Sequence, residues 1–138
     1  MTAPIEGWAR QFLSEPRRFG TLSTILSDGA PHQAVVWYTL TDEGILVNSA
    51  VGRIWPTNLL REPRCSLAVE AGYAWLGVAA LAEPITDQTS AQADIAAMTR
   101  AYHADDQAKV ARLIRGFEGQ QRISFLLRPT AGYEHPDT

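Results

Sequence analysis

Six short runs rich in β-branched and aromatic residues dominate the sequence, and turn-forming residues separate them. Asp-Gly, Gly-Ala-Pro and Glu-Gly stand between the first three runs, and such residues form the tight turns of antiparallel hairpins. The first three runs are therefore predicted to pair as a meander. Because a closed sheet has no exposed edges, six short strands with few helices favour a mainly β fold, a closed or nearly closed antiparallel β-barrel. The predicted strands are TLSTIL (21–26), HQAVVWYTL (32–40), ILVNSA (45–50), RCSLAVEA (64–71), YAWLGVAALAEPI (73–85) and RISFLLRP (122–129).

Helical spacing marks three further segments, which are expected to flank the barrel. Apolar residues recur at helical intervals in residues 5–13. A proline is tolerated in the first turn of a helix, so PTNLLREP, residues 56–63, predicts about two helical turns that its second proline ends. Residues 89–117 carry apolar helical faces with an interruption near HADD.

Length and charge limit what the protein can do. The 138 residues suit one domain, residues 1–138, and are too few for separate cofactor and substrate modules. A cleft between two domains would therefore need a second copy of the chain. The net charge of −3 argues against nucleic-acid binding, which normally requires an excess of lysine and arginine. No apolar run approaches the ~20 residues of a membrane span, so membrane insertion is not expected.

The single cysteine and the scattered histidines exclude several kinds of site. Cys65 can form neither an intrachain disulfide nor a thiolate metal cluster, so a reducing cytoplasm is the expected compartment. A lone cysteine on a strand is typically a small buried apolar residue. Because His32, His103 and His135 are not at metal-ligand spacing, no metal site is predicted. Motifs of nucleotide-binding and hydrolytic enzymes, such as a P-loop or Gly-x-Ser-x-Gly, are also missing from the sequence.

The segment AVGRIWPTNLL, residues 50–60, has the composition of an anion-binding turn. A strand end, the flexible Gly52 and the start of a helix all offer unpaired N–H groups, and a helix N-terminus carries partial positive charge. Arg53 adds a guanidinium group, whose planar donors suit phosphate oxygens. Alternatively, Arg53 is a solvated surface residue and Trp55 covers the barrel end. The spacing alone does not choose between these interpretations.

Two other groups of residues could face a ligand. His32 and Gln33 follow a tight turn and open a strand, which places them at a barrel rim, although polar residues commonly end a turn without any such role. Tyr73 and Trp75 lie on one face of the fifth strand at a spacing of two residues. Such a pair can stack on a planar ring, but it more often fills a core or an interface.

The order of these segments resembles the flavin/deazaflavin oxidoreductase superfamily, whose members have the pyridoxamine 5′-phosphate oxidase-like split β-barrel. The resemblance extends from about Phe19 to Tyr133. Within the superfamily, the Gly-Arg pair followed by NLLREPRCSL looks like the deazaflavin-dependent B group, which uses coenzyme F420. The segments that carry the resemblance are FGTLSTILSDGAPHQAVVWYTL, ILVNSAVGRIWPTNLLREPRCSLAVE, the strand with Tyr73 and Trp75, and RISFLLRPTAGYE.

This resemblance implies a homodimer with two cofactors in grooves between the barrels. Residues 48–50 would line the cofactor, Arg53 and residues 55–58 would receive its phosphate-bearing tail, and an aromatic residue of the fifth strand would approach from the partner. Many relatives have a lysine two residues after the arginine, where this chain has Trp55. Arg53, backbone amides and Arg61 are expected to compensate for it. The implied cofactor-binding residues are His32, Gln33, Asn48, Ser49, Ala50, Gly52, Arg53, Trp55, Pro56, Thr57, Asn58, Tyr73 and Trp75.

The reaction that the resemblance implies is hydride transfer from reduced coenzyme F420 to an unsaturated small molecule, with His32 as the candidate proton donor. Trp37, Tyr38 and Trp55 suggest an apolar substrate pocket, although strand alternation prevents all three from facing one cavity. Two alternatives remain. One is an FMN-dependent oxidase or reductase of the same fold, and the other is a non-enzymatic carrier of flavin, deazaflavin or haem.

Overall fold

The computed structural model describes residues 3–137, in which seven strands form one antiparallel sheet accompanied by four helices. The fold class predicted from the sequence, mainly β with flanking helices, is confirmed. In chain order the elements are α1 (Gly7–Ser14), β1 (Gly20–Ile25), β2 (Pro31–Val36), β3 (Thr39–Leu40), β4 (Ile45–Ala50), α2 (Ile54–Arg61), β5 (Arg64–Ala71), β6 (Ala74–Ile85), α3 (Gln88–Tyr102), α4 (Gln107–Glu118) and β7 (Arg122–His135).

The strand order shows that the sheet is strongly curled. Neighbouring strands run in the order β2-β1-β5-β6-β7-β4-β3. The two edge strands, β2 and β3, are consecutive in the chain and are separated only by Trp37 and Tyr38. Two residues cannot bridge the width of a flat seven-stranded sheet, because adjacent strands lie about 4.8 Å apart. The sheet therefore curls into a half-barrel until its edges approach each other.

The prediction of six strands was wrong, because the run 32–40 divides into two strands. The break is at Tyr38, whose N–H donates to the Tyr102 hydroxyl of α3 at 3.1 Å. The same hydroxyl donates to the Arg18 carbonyl at 2.5 Å. At this point the chain stops pairing with β1 and begins to pair with β4, and the Tyr102 hydroxyl accepts the hydrogen bond that a neighbouring strand would otherwise accept. The predicted antiparallel pairing of the first three runs is observed, but the middle run pairs with β1 through β2 and with β4 through β3.

The core fills the inner face of the curled sheet. Alternate residues of β1 and β4 are buried, as expected for strands with one face inward. Leu22, Ile45 and Phe125 are among the largest fully buried side chains. Residues 122–127 of β7 are buried without alternation, because α3 packs on the outer side of β7 and β4. Polar groups at the start of β7 are thereby enclosed.

The helices lie close to their predicted positions. The helix α2 starts two residues before Pro56, so this proline occupies the third helical position, where its missing N–H still costs no intrahelical bond. The predicted interruption near HADD is confirmed, since α3 ends at Tyr102 and α4 begins at Gln107. Asp106 caps α4 by accepting from the Lys109 N–H at 3.0 Å. Among the described residues, no helix is long and apolar enough to cross a membrane.

Candidate functional site

The turn between β4 and α2 has the local geometry of the predicted anion-binding segment. Gly52 has φ +96°, a conformation that favours glycine, and a Cβ atom there would meet nothing within 4 Å. Arg53 is the N-cap residue of α2, and its side chain makes no capping hydrogen bond. Its carbonyl accepts from the Thr57 hydroxyl at 2.7 Å and from the Thr57 N–H at 3.2 Å. The Arg53 guanidinium is exposed and makes no hydrogen bond or ion pair to the residues that the structure describes.

A pocket of about 200 Å³ brings several predicted site residues together. Asn48 and Ser49 come from β4, and Arg53 and Trp55 come from the start of α2. Trp37, at the break between β2 and β3, forms part of the wall, and side chains of α3 and α4 close the opposite side. The pocket therefore combines polar groups of the sheet, cationic groups and aromatic rings.

Arg122, the first residue of β7, also lines this pocket and was not predicted as a site residue. It is only 4% exposed. Its Nε and Nη2 donate to the Asn48 Oδ1 at 3.0 and 2.8 Å, and its Nη1 donates to the Gln120 Oε1 at 2.6 Å. The guanidinium also lies over the Phe117 ring, 4.6 Å from its centroid. Burial and the nearby charge of Arg53 lower the pKa of Arg122 to about 10, so it remains a cation at neutral pH.

A partly buried polar network holds Asn48, the residue that orients Arg122. The Asn48 amide donates to the Ala91 carbonyl and to the Ser124 hydroxyl, both at 2.9 Å. The Ser124 hydroxyl donates in turn to the Asp94 carboxylate at 2.7 Å. Because every side-chain bond of Asn48 is used, its position in the pocket is set by α3 and β7.

The Arg122 backbone is fixed as well. Its N–H donates to the Gln88 Oε1 at 2.9 Å, and its carbonyl accepts from the Gln88 Nε2 at 2.7 Å. One side chain of α3 thus continues the β-ladder at the start of β7. Both the backbone and the guanidinium of Arg122 are held by neutral amide groups.

Neither arginine of the pocket has an anionic partner. Within residues 3–137, no carboxylate oxygen lies within 4.0 Å of the Arg53 or Arg122 guanidinium. The Asp94 carboxylate reaches Arg122 only through Ser124 and Asn48. The pocket accordingly carries two uncompensated positive charges.

Several predicted residues of α2 do not line this pocket. Asn58 is buried, and its amide donates to the Thr24 hydroxyl of β1 at 3.0 Å. The Nη2 of Arg61 donates to the Asn58 Oδ1 at 3.2 Å and to the Ile25 carbonyl. These bonds attach α2 to the end of β1. Arg61, which was expected to compensate for the missing lysine, is therefore engaged in a structural contact. The pocket lining also excludes four other predicted residues: Ala50 and Gly52, which precede α2, and Pro56 and Thr57, which lie within it.

The two predicted rim residues on β2 face opposite sides of the sheet. His32 lies opposite Thr24 on the inner face, and its buried Nδ1 has no partner among the described residues. Gln33 is exposed on the outer face and donates to the Ser23 hydroxyl at 3.4 Å. Neither of them lines the pocket that contains Arg53, and their role remains a prediction.

Tyr73 and Trp75 lie on the outside of the sheet, at the start of β6. Tyr73 is 84% exposed and Trp75 is 44% exposed. The Trp75 ring stacks on His135 with centroids 5.3 Å apart, and the His135 Nδ1 lies 3.1 Å from the Tyr73 carbonyl oxygen. Within one chain they do not reach the pocket.

The three aromatic residues considered as pocket walls separate as strand alternation requires. Trp37 lies in the pocket wall and stacks on Tyr102 with centroids 5.0 Å apart. The neighbouring Tyr38 instead points into the core, where its hydroxyl donates to the Leu13 carbonyl at 3.0 Å. Trp55 is buried but contributes to the pocket lining. Two of the three rings are therefore available to a ligand.

Cys65 has the properties of a packed apolar residue. Burial raises the pKa of its thiol to about 12, so the thiolate is not formed at neutral pH. The described residues also contain no cluster of three or more His, Cys, Asp or Glu side chains that could hold a metal ion.

Comparison with known proteins identifies the family. The family model named pyridoxamine 5′-phosphate oxidase matches residues 5–123, whereas no curated protein matches the sequence significantly. An F420 reductase of known structure is 23% identical and has a TM-score of 0.72, with 93% of this chain and 97% of that chain covered. A conserved hypothetical protein from Mycobacterium tuberculosis is 19% identical with a TM-score of 0.74, covering 98% and 92%. A haem storage protein from Vibrio cholerae is 19% identical with a TM-score of 0.70, covering 96% and 95%.

At these identities the likeness to the solved structures concerns the fold alone. The family match covers most of the chain and agrees with the curled antiparallel sheet and its flanking helices. The resemblance to proteins with the split β-barrel, seen in the sequence, is thereby confirmed. The chain belongs to the pyridoxamine 5′-phosphate oxidase family.

Proposed function

We propose that this protein is a coenzyme F420-dependent oxidoreductase that reduces an unsaturated small molecule. The observation that carries the proposal is that Asn48, Ser49, Arg53 and Trp55 line one and the same pocket. These are residues to which the sequence resemblance assigns cofactor binding. The shared fold of an F420 reductase gives further support.

The residues of the pocket fit the chemistry of such a cofactor. Its phosphate-bearing tail is anionic, and the exposed guanidinium of Arg53 has no competing carboxylate among the described residues. Planar guanidinium donors match phosphate oxygens. A flat ring system could pack against Trp37 or Trp55, since both rings belong to the pocket wall.

One chain offers only part of the binding site. A volume of about 200 Å³ is below the range of about 300–1,000 Å³ that is usual for ligand pockets. The remaining walls must come from elsewhere, and we infer that a second copy of the chain supplies them. The protein is accordingly proposed to be a homodimer, with Tyr73 or Trp75 of the partner approaching the cofactor.

An exposed row on the sheet supports this arrangement. Strand register places Val35, Thr21, Ala68, Gly77 and Tyr133 side by side on the outer face. The ends of the row are apolar and exposed, and its centre consists of small residues that allow close approach. Val35, 71% exposed, also lines the pocket. A second copy covering this row would therefore lie next to the Arg53 pocket.

The reduced deazaflavin, when bound, supplies the hydride, and the protein provides binding and orientation. Arg53 would hold the anionic tail, and the aromatic wall would keep water away from the ring. His32 remains the candidate for delivering a proton, since histidine can serve as a general acid, although it does not line the Arg53 pocket of its own chain. The single free thiol of Cys65 is consistent with a reducing cytoplasm as the compartment.

The proposal is tested by titrating the protein with oxidised coenzyme F420 and, in parallel, with FMN, while fluorescence is followed. Coenzyme F420 should bind more tightly than FMN, and Arg53→Ala should weaken its binding by about 1–3 kcal/mol, the usual effect of losing a charged hydrogen-bond partner. Arg112→Ala is the matched control, because Arg112 is exposed on α4 and does not line the pocket. Tighter binding of FMN, or no effect of Arg53→Ala, would contradict the assignment.

The homodimer is tested separately by sedimentation. Ala68→Glu places a charge in the middle of the exposed row and should convert a dimer into a monomer with weaker cofactor binding. Ala111→Glu on the exposed side of α4 is the control. A wild-type chain that sediments as a monomer with bound cofactor would refute the two-chain site.

A second candidate is a non-enzymatic carrier, because a haem storage protein shares the fold. Binding and turnover would use the same pocket, so only the reaction separates the two. Oxidation of the bound reduced coenzyme upon addition of a conjugated enone, followed by absorbance, supports the enzyme. Tight haem binding without any such oxidation across a substrate panel would favour the carrier.

A further inference from the structure

We propose that Arg122 binds an oxyanion of the cofactor, a phosphate ester, so that Arg122 and Arg53 form a two-arginine phosphate site. The inference rests on the proposed function, because it takes the pocket to be the cofactor site. It adds a residue from the far end of the chain and names the chemical group that this residue recognises.

The first argument is the unpaired charge of Arg122. A buried cation is costly, and hydrogen bonds to neutral groups reduce that cost without neutralising the charge. Arg122 is 4% exposed, and no carboxylate in residues 3–137 is within ion-pair distance. The adjacent Arg53 adds like charge to the same pocket. An anionic ligand is the group that would offset both charges.

The second argument is the number of free donors. A guanidinium has five N–H groups. Three of them donate within the chain, two to Asn48 and one to Gln120. Each terminal nitrogen thus keeps one N–H without an acceptor in the described part of the chain. Each of these two remaining donors can bind a phosphate oxygen.

The third argument is the orientation of the side chain. Asn48 is held by Ala91 and Ser124, and it holds two donors of Arg122 in turn. The Phe117 ring supports the guanidinium plane from one face. A side chain fixed in this way loses little conformational entropy when a ligand binds. Neutral partners orient the charge without neutralising it.

The experiment compares ligands that differ only in the phosphate-bearing tail. Affinities are measured by fluorescence for coenzyme F420 and for its phosphate-free ribityl deazaflavin, and likewise for FMN and riboflavin. The variants are Arg122→Gln and Arg122→Lys, with Arg112→Gln as a surface control of equal charge change. The measured quantity is the preference for the phosphate-bearing form over the phosphate-free form.

We expect Arg122→Gln to lower this preference by about 10- to 100-fold, the effect of one charged hydrogen-bond partner. Binding of the phosphate-free ribityl deazaflavin should change less than about threefold. Arg122→Lys should retain part of the preference, and Arg112→Gln should retain all of it. An equal loss of affinity for both forms would overturn the proposal, because a purely structural role predicts that result.

The outcomes also separate this inference from the proposed function. If FMN binds and coenzyme F420 does not, the deazaflavin assignment fails, and the preference for FMN over riboflavin still tests Arg122. If Arg122→Gln does not fold, the same preference is measured for Arg122→Lys, and an equal loss of affinity for the phosphate-bearing and phosphate-free forms overturns the proposal. If no chromophore binds, inorganic pyrophosphate must raise the melting temperature of the wild type more than that of Arg122→Lys at equal ionic strength. Equal shifts, or no shift, would overturn the phosphate site.

Discussion

Replacing Arg53 with glutamine should stabilise the ligand-free protein, although the same change should weaken binding of an anionic cofactor. Arg53 shares a pocket with the buried cation Arg122, so the two like charges repel each other. It is also the N-cap of α2 without a capping hydrogen bond, where the partial positive charge of the helix end disfavours a cation. Both effects disappear when the charge is removed.

The size of the effect follows from the dimensions of the pocket. A sphere of about 200 Å³ is about 7 Å across, and we take this width as the scale of the separation between the two charges that line the pocket. Two unit charges at about 7 Å repel by about 0.6 kcal/mol with water-like screening and by about 2 kcal/mol at an effective dielectric constant of about 20. Arg53 is exposed, which favours the lower value. The helix end adds about 0.3–1 kcal/mol. We therefore expect a gain of about 1 kcal/mol, or about 4 °C in melting temperature for a chain of this length.

The assay is thermal unfolding followed by circular dichroism in chloride buffer without phosphate. Arg112→Gln, on the surface of α4, should shift the melting temperature by less than about 1 °C, as surface substitutions usually do. In an Arg122→Gln background the gain from Arg53→Gln should shrink, because the repulsion has already been removed. An Arg53→Gln protein that melts at the wild-type temperature or below would refute the reasoning.

Three further predictions concern the stability of the fold. Asn58→Ala should lower the free energy of unfolding by about 1–3 kcal/mol in urea, because the buried Thr24 hydroxyl loses its donor; a loss below 0.5 kcal/mol would contradict this. Gly44→Ala should be more destabilising than Gly29→Ala: both positions have positive φ, but only at Gly44 would a Cβ collide with a backbone oxygen of β7. Equal losses in denaturant would show that the collision is relieved. The Cys65 thiol has its pKa raised to about 12 by burial, whereas an unfolded thiol ionises near pH 8.5. The unfolded state therefore releases this proton first, so stability falls as pH rises from about 9 toward 12, and Cys65→Ala should flatten that decline; an unchanged pH slope would refute the assignment.

Local patterns in the sequence predicted most of the secondary structure. Strand segments, the turn residues between them and the break between α3 and α4 depend on neighbouring residues, and the structure confirms them. The division of the run 32–40 into β2 and β3 was not predictable in this way. It depends on the Tyr102 hydroxyl, which α3 brings to the backbone from more than sixty positions away in the chain.

Some residues of the candidate site could likewise be predicted from the sequence, and others could not. Gly52 and Arg53 form a contiguous turn, so their composition could be recognised directly. Arg122 carried a weak signal, a single arginine opening an otherwise apolar strand, and nothing near it in the sequence connected it to Arg53. Arg61 had the expected charge and spacing, yet its hydrogen bonds join α2 to β1.

The sequence by itself determined most of the strand and helix segments, because backbone preferences and the alternation of apolar side chains are local properties. The tertiary structure decided which strands are neighbours. Pairing of β4 with β7 places Asn48 opposite Ser124, and this pairing, together with the cover of α3, brings Arg122 into the pocket of Arg53. Such contacts depend on how the whole sheet curls to bury its inner face. Because that packing involves residues far apart in the chain, no local stretch of sequence determines it.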